Sequence, residues 1–293
     1  MPSDNKESPK VRALGAELRE HRKAAGISVR KLAEQLQKHH SVLARYETGE
    51  KRPESETVAA IMTALGASDI ERTRIVNLAR DAEDANWVAV GDSSHRDMTT
   101  LIEYERTACR IVEVATTVVP GILQTYDYAR SIISKWSPAD ADARTAIRVG
   151  RRDTLTKRNA PEFVAIITEN ALREPIGGSA VHAEQLHHLL SLAKLPNVEV
   201  IAIPCGTGEW NPSHAGSFLH FEFAKASPIV YIEHFSSLTL LHTPKETRAF
   251  GHAIDSLRNI AMSPEATTEL ITRIAEAEGE SDDDRKPAEL AHF

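Results

Sequence analysis

The stretch 28–49, SVRKLAEQLQKHHSVLARYETG, constrains the fold most because it predicts two short helices joined by a tight turn. In its second half Leu43 and Tyr46 recur at helical spacing. Ser28 is a suitable N-cap for the first helix, and Gly49 stands where a left-handed residue would end the second. Two helices in this arrangement form a helix-turn-helix, whose second helix lies in the major groove of DNA.

The flanking residues predict three further helices within the first 80 residues. The helix before the motif stops at Gly26. Pro53 ends the segment after it, and a new apolar stripe then runs to Gly66. The fifth helix starts at Ser68, where Glu71 completes a capping box. We therefore expect an all-α domain of five helices.

The run LREHRKAAGIS, LAEQL and ARYETGEKRP resembles the xenobiotic-response-element (XRE) family, which shares the helix-turn-helix fold of the phage repressors. This resemblance implies DNA binding, and it implies a partly buried ion pair between Arg22 and Glu47 that ties the first helix to the recognition helix. The sequence departs from the family at Val29, where relatives often have Gln. It departs again at Gln37, where a left-handed Gly is common.

The N-terminal half of the recognition helix is expected to meet the base edges. Its candidate contacts are His40, Ser41, Ala44 and Arg45. Arg45 can bind guanine through two hydrogen bonds, and Ala44 can touch a thymine methyl group. The candidates for phosphate contact are Arg30, Lys31, Lys38, His39, Lys51 and Arg52. The alternative is that these charges only solvate a small helical domain.

The charge distribution supports a nucleic-acid partner although the net charge is −7. Residues 1–52 contain 12 Lys and Arg against 7 Asp and Glu, whereas the remaining residues contain 23 against 35. A basic segment on an acidic chain is the pattern expected of a DNA-binding domain with an attached domain of another role. The modest excess predicts weak non-specific binding, so dimerisation and base contacts would have to supply affinity.

The rest of the chain alternates strand and helix patterns and predicts an α+β domain. TTVVPGILQTYDYAR, FVAIITENALREPIGG, GSFLHFEF and PIVYIEH occur in the order found in the antitoxin-like regulatory domain of bacterial developmental regulators, which this region resembles. That resemblance implies a small acidic partner protein. The predicted division is a helix-turn-helix domain at 1–84, a linker at 85–97, a regulatory domain at 98–276 and a disordered acidic tail at 277–293.

Two features of the second domain are candidates for binding a partner or ligand. A long helix is predicted over residues 140–158, and it carries arginines at i, i+4, i+7 and i+8, hence on one face. These are Arg144, Arg148, Arg151 and Arg152. The stripe is either a solvated surface or a docking site for an acidic partner or DNA phosphate. Trp210, in a long Gly- and Pro-rich loop, either covers a ligand or partner or caps the nearby core.

Other classes of protein lack support in the sequence. No run of 18 apolar residues or apolar signal core occurs, so we expect a cytoplasmic protein with no membrane span. Cys109 and Cys205 are expected to be reduced, partly buried thiols. No metal-ligand spacing, nucleotide loop or nucleophile elbow is present, so we expect no metal, no cofactor and no enzyme activity.

These observations predict a sequence-specific transcriptional regulator that binds double-stranded DNA as a homodimer. Its second domain would dimerise it and receive a signal from a partner or ligand. The alternative is an antitoxin-like protein whose main role is to bind a small acidic partner protein. A small-molecule sensor is a third possibility, and it depends only on the loop that carries Trp210.

Overall fold

A computed structural model describes residues 9–80, 87–90, 94–206, 208–224, 226–235 and 237–283. The chain divides into two compact units, residues 1–108 with 221–248 and residues 109–220 with 249–293. Within the described part of the chain, no helix is both long and apolar enough to cross a membrane.

The first unit begins with five helices. They are α1 (Pro9–Ala24), α2 (Val29–Gln35), α3 (His40–Glu47), α4 (Ser55–Ala64) and α5 (Asp69–Arg80). Helices α2 to α5 each bury one side, whereas every residue of α1 from Val11 to Leu18 is buried. Leu14, Leu43, Ile61 and Ile75 are core residues of these helices. The predicted five-helix domain is confirmed, as is the mixed α+β architecture that follows it.

Local signals set the ends of these helices. The Ser28 hydroxyl accepts a hydrogen bond from the backbone N–H of Lys31 at 3.2 Å, and Ser68 and Glu71 exchange the hydrogen bonds of a capping box. Gly49 has φ +74°, and a Cβ there would lie 2.7 Å from the Cα of Arg12. Only glycine therefore fits where α3 ends against α1.

The same unit also contains a helix and three antiparallel strands. They are β1 (Trp87–Val90), α6 (Ser94–Thr107), β6 (Ile229–Glu233) and β7 (Ser237–Leu241). Strand β7 pairs with both β1 and β6. The prediction of a linker at 85–97 is therefore wrong for residues 87–90 and 94–97, because β1 finds its hydrogen-bond partner in a distant strand. Residues 85, 86 and 91–93 of that prediction lie outside the described part.

The second unit is built around three parallel strands with helices between them. The strands are β2 (Arg110–Ala115), β3 (Glu162–Thr168) and β4 (Val198–Ile203), and β3 lies in the middle. Their residues are apolar in long runs, as expected for parallel strands buried on both faces. The helices are α7 (Tyr126–Trp136), α8 (Ala141–Gly150), α9 (Asp153–Thr156), α10 (Glu169–Arg173), α11 (Ser179–Leu192) and α13 (Pro264–Asp283). The division between units falls within β5 (Phe218–Glu222) and α12 (Pro244–Ile260).

Three predictions for the second unit need correction. The single helix predicted at 140–158 breaks after Gly150, because glycine is a poor helix former and the next two amides bond to carbonyls three residues back. The tail predicted to be disordered from residue 277 is helical through 283, since α13 packs on α11 through buried Leu270 and Ile271. Residues 284–293 lie outside the described part. Both cysteines are exposed, because they flank strands instead of lying in them.

Candidate nucleic-acid interface

Helix α3 has one buried and one exposed face. Leu43 and Tyr46 point into the five-helix core, where each is almost fully buried. His40, Ser41 and Arg45 are exposed on the opposite side, and Ala44 is half-buried beside them. Positions i, i+1, i+4 and i+5 share a helical face, so these four side chains form a continuous strip. We call this strip the α3 face.

His39 forms the N-cap of α3. Its Nδ1 accepts a hydrogen bond from the backbone N–H of Ser41 at 3.4 Å and lies 2.7 Å from the Ser41 hydroxyl. The ring of His39 is also 4.4 Å, centroid to centroid, from that of His40. The sequence predicted a phosphate contact for His39. The structure gives its Nδ1 a capping role, which fixes the direction in which α3 begins.

Cationic side chains lie at both ends of the α3 face. Lys38 is exposed in the turn before α3, and Lys51 is exposed in the turn after it. Arg52 follows Lys51 and is half-buried, while Arg30 is exposed in the first turn of α2. Side chains in such positions can bind phosphates on both sides of a groove, which orients a recognition helix without specifying sequence.

Arg45 has a carboxylate neighbour that sequence reasoning missed. Its Nε lies 4.0 Å from Oε2 of Glu50, and the two side chains are 50% and 65% exposed. A pair so open to solvent contributes about 0–1 kcal/mol. Arg45 is therefore held loosely and can turn toward another acceptor. The turn after α3 brings Glu50 close to Arg45. Glu50 is five residues after Arg45 in the sequence, so the i+3 and i+4 spacing of helical neighbours does not predict the contact.

A bidentate ion pair holds the C-terminal end of α3. Arg22 of α1 donates from Nε and Nη2 to the two carboxylate oxygens of Glu47, at 2.6 and 2.8 Å, and from Nη1 to the carbonyl of Ile27 at 2.8 Å. The hydrogen bonds to Glu47 raise the pKa of Arg22. Glu47 is only 7% exposed, so its charge depends on this partner.

Arg19 supports the same end of α3 and was not predicted. Its Nη2 donates to the backbone carbonyl of Glu47 at 2.6 Å, and its guanidinium also donates to the carboxylate of Glu103 in α6 at 3.0 and 3.3 Å. Arg106 donates two further hydrogen bonds to Glu103, both at 3.0 Å. The last turn of α3 is thus connected through Arg19 to α6.

One face of α1 accounts for these contacts. Gly15, Arg19 and Arg22 are spaced at i, i+4 and i+7, and a Cβ on Gly15 would lie 2.9 Å from the carbonyl oxygen of Glu47. A glycine and two arginines at this spacing are the sequence signal that could have identified the contact. Arg12, nearer the start of α1, is nearly buried, and its Cζ lies 3.8 Å from the ring centroid of Phe223. Arg12, Arg19 and Arg22 therefore serve structure, and the cations left for DNA are fewer than the charge count suggests.

The partner candidates of the second unit are not one exposed stripe. Arg148 and Arg152 donate to the side chain and backbone of Gln124 at 3.2 and 2.6 Å. Arg151 is nearly buried, and Arg144 lies 5.1 Å from the ring centroid of Trp136. Arg151 is buried and the other three arginines are half-buried, so the predicted solvated stripe is not present.

Trp210 is 74% exposed, so the interpretation that it caps the core is wrong. Within the described residues, no group of three or more His, Cys, Asp or Glu side chains is arranged to hold a metal ion.

The fold and the α3 face define a helix-turn-helix protein, and comparison with known families agrees. Residues 13–75 match the family model described as a helix-turn-helix domain. Residues 98–273 match the model described as a domain of unknown function, DUF5753. This second match covers more than half of the chain, which therefore belongs to the DUF5753 family.

The chain is also similar to a solved structure. The crystal structure of the clp gene regulator ClgR from C. glutamicum is 33% identical, over 27% of this chain and 96% of that chain, with a TM-score of 0.22. No curated protein matches the chain.

Proposed function

We propose that this protein is a sequence-specific transcriptional regulator of the XRE type that binds double-stranded DNA as a homodimer in the cytoplasm. The α3 face carries the proposal. It presents three exposed hydrogen-bonding side chains on a short helix whose opposite face is buried. The helix-turn-helix match at 13–75 supports the same role.

In the proposed complex the N-terminal half of α3 lies in the major groove. Arg45 leaves Glu50 and binds guanine O6 and N7, which gives about 1–3 kcal/mol of discrimination against other bases. His40 and Ser41 contact neighbouring base edges, and Ala44 contacts a thymine methyl group. Lys38, Lys51, Arg52 and Arg30 bind phosphates and set the register.

The homodimer follows from the size of the reading surface. One short helix contacts only a few base pairs, so two copies are needed for a specific site. Two α3 helices would read half-sites about 34–36 Å apart, one turn of DNA. We assign dimerisation and the sensing of a partner or ligand to the DUF5753 residues.

A signal has a physical route to α3 within the first unit. Glu103 of α6 lies inside the DUF5753 match. It binds Arg19, which in turn binds the carbonyl of Glu47. A shift of α6 would release or move Arg19, and the last turn of α3 would lose a charged hydrogen bond. Regulation would then act on the orientation of the recognition helix.

The first experiment is a band-shift assay with DNA from upstream of the protein's own gene. Arg45→Ala should weaken binding to the specific site by about 1–3 kcal/mol for each half-site, while non-specific binding persists. Arg80→Ala is the matched control, because Arg80 is an exposed arginine at the end of α5. Specific binding that survives Arg45→Ala and matches the control contradicts the proposal.

A second candidate function, an antitoxin-like protein that binds a small acidic partner, is supported by one surface of the second unit. Trp136 is 48% exposed and stacks with the guanidinium of Arg144, and Tyr126 and Ile147 are exposed on the same pair of helices. Aromatic and arginine side chains are enriched at interfaces. Co-purification with a small neighbouring protein, abolished by Trp136→Ala and Arg144→Glu, would favour this function if DNA binding proved non-specific.

A further inference from the structure

The second unit contains a cavity of about 180 Å³ that the DNA-binding function does not use. It lies at the carboxyl ends of the three parallel strands. Thr116 directly follows β2, Thr168 ends β3 and Ile203 ends β4, and all three line the cavity. In open α/β sheets this edge is where ligands bind.

Hydrogen bonds between separate segments hold the walls in place. Thr168 Oγ1 donates to the carbonyl of Thr116 at 2.9 Å, and the N–H of Thr116 donates to Ser217 Oγ at 3.0 Å. The N–H of Cys205 donates to the carboxylate of Glu169 at 2.9 Å, which anchors the start of the following loop. The cavity is therefore preformed, and a ligand would not have to order it.

The lining presents hydrogen-bond donors. Asn170 Oδ1 accepts from the thiol of Cys205 at 2.9 Å, and Asn211 Oδ1 accepts from the N–H and hydroxyl of Ser213 at 3.1 and 2.7 Å. Among the described residues, neither amide nitrogen Nδ2 has a partner. His214 Nδ1 lies 3.0 Å from both the backbone nitrogen and the carbonyl oxygen of Asn211, which holds the ring at the cavity wall.

The charge of the lining restricts the ligand to neutral molecules. Among the residues that the structure describes, no Lys, Arg, Asp or Glu lines the cavity. The nearby carboxylate of Glu169 is already bound by Arg173 and by the N–H of Cys205. An ionised ligand would lose its hydration without a counter-charge, which is costly. Hydroxyl groups suit the site, because each can accept from an amide N–H and donate to a carbonyl or hydroxyl oxygen.

The size of the cavity limits the ligand to a single small ring or short chain. At about 30 Å³ for each water molecule, the volume equals about six waters. This is below the range of about 300–1,000 Å³ that holds drug-sized ligands. Trp210, which is 74% exposed, directly precedes the lining residue Asn211 in the sequence.

We propose that this cavity binds an uncharged polyhydroxylated molecule, a monosaccharide or polyol, through the amide nitrogens of Asn170 and Asn211. The role of that ligand as a regulatory signal rests on the function proposed above, whereas binding itself does not.

The test measures binding to the full chain by calorimetry and thermal shift. The neutral probes are glucose, ribose, mannitol and myo-inositol. Glucuronate and glucosamine, which have the same ring as glucose, are the charged counterparts. We expect at least one neutral probe to bind with a 1:1 stoichiometry and to raise the unfolding temperature. The charged counterparts should bind at least tenfold more weakly.

Asn170→Asp and Asn211→Asp are the diagnostic variants. Each keeps the oxygen that accepts the internal hydrogen bond and replaces the donor nitrogen, so each should stay folded and weaken binding at least tenfold. Asn259→Asp, at an exposed site in α12, should bind as wild type.

The proposal is overturned if no neutral probe binds at its solubility limit, or if both diagnostic variants bind as the control does. Band shifts with and without the bound probe then separate the two claims. Sugar binding that leaves DNA affinity unchanged supports the site and refutes its regulatory role.

Discussion

Removal of the positive charge from Arg22 should destabilise the first unit sharply. The side chains of Arg22 and Glu47 are only 13% and 9% exposed. Arg22→Met leaves the carboxylate of Glu47 without its cation, and breaking a buried pair in this way costs about 3–5 kcal/mol. Because some solvent reaches both groups, we expect about 3 kcal/mol.

Native-state hydrogen exchange on the full chain can measure this cost locally. A loss of about 3 kcal/mol speeds exchange of the α1 and α3 amides about a hundredfold, since each 1.4 kcal/mol is a factor of ten. Lys23→Met is the matched control, one residue away on α1. Its ion pair with Glu20 has both side chains more than half exposed, so it should cost less than about 1 kcal/mol.

A double-mutant cycle tests the physical reason for that cost. In Arg22→Met/Glu47→Leu no charge is stranded, so the double variant should be more stable than the sum of the two single costs predicts, by about 1–3 kcal/mol. Equal exchange rates in Arg22→Met and Lys23→Met would refute the reasoning. Strict additivity of the two single costs would refute it as well.

Three further perturbations have defined outcomes. Gly15→Ala forces a Cβ against the backbone at the end of α3 and should lower the stability of the first unit by about 1–3 kcal/mol in thermal unfolding, whereas Gly251→Ala, which meets nothing within 4 Å, should not. Equal unfolding temperatures for the two variants would argue against a close approach of α1 to the end of α3. Glu50→Gln removes the anion beside Arg45 and should tighten DNA binding by up to about fivefold at low salt and not at high salt. An unchanged affinity at low salt would show that Glu50 does not compete with DNA for Arg45. The N–H of Cys205 and then Arg173 lower the pKa of Glu169 below its usual 4.5, so its contribution to stability is present above that pH and fades as pH falls through its folded value. In Glu169→Gln the unfolding temperature should fall less steeply with acid than in wild type, and parallel curves would contradict this.

The five-helix domain could be predicted from sequence because its signals are local. The hydrogen bond by which Ser28 caps α2 spans only three residues of the chain, and the capping box of Ser68 and Glu71 spans a single turn. The left-handed turn residue Gln37, with φ +52°, was also expected from its position in the motif. Such features depend on neighbours in the chain and so appear in the pattern itself.

What could not be predicted depends on contacts between distant segments. Strand β1 pairs with β7, far along the chain, so no local pattern distinguishes it from a linker. Composition made the end of α13 look disordered, but its preceding turns are held by α11. The roles of Arg19 and Glu103 follow from how α1 crosses α3 and α6. The cavity is formed by residues after three separate strands, which no single stretch reveals.

The central claim, that the α3 face reads DNA, is tested most directly by selecting binding sites from random duplex DNA with wild type and with Arg45→Ala. Wild type should enrich one motif that contains a required guanine in each half-site. Arg45→Ala should enrich the same motif with that position open to any base, because only one side-chain contact is lost. A motif whose guanine is retained at full strength by Arg45→Ala, or no motif with the wild-type protein, would contradict the claim.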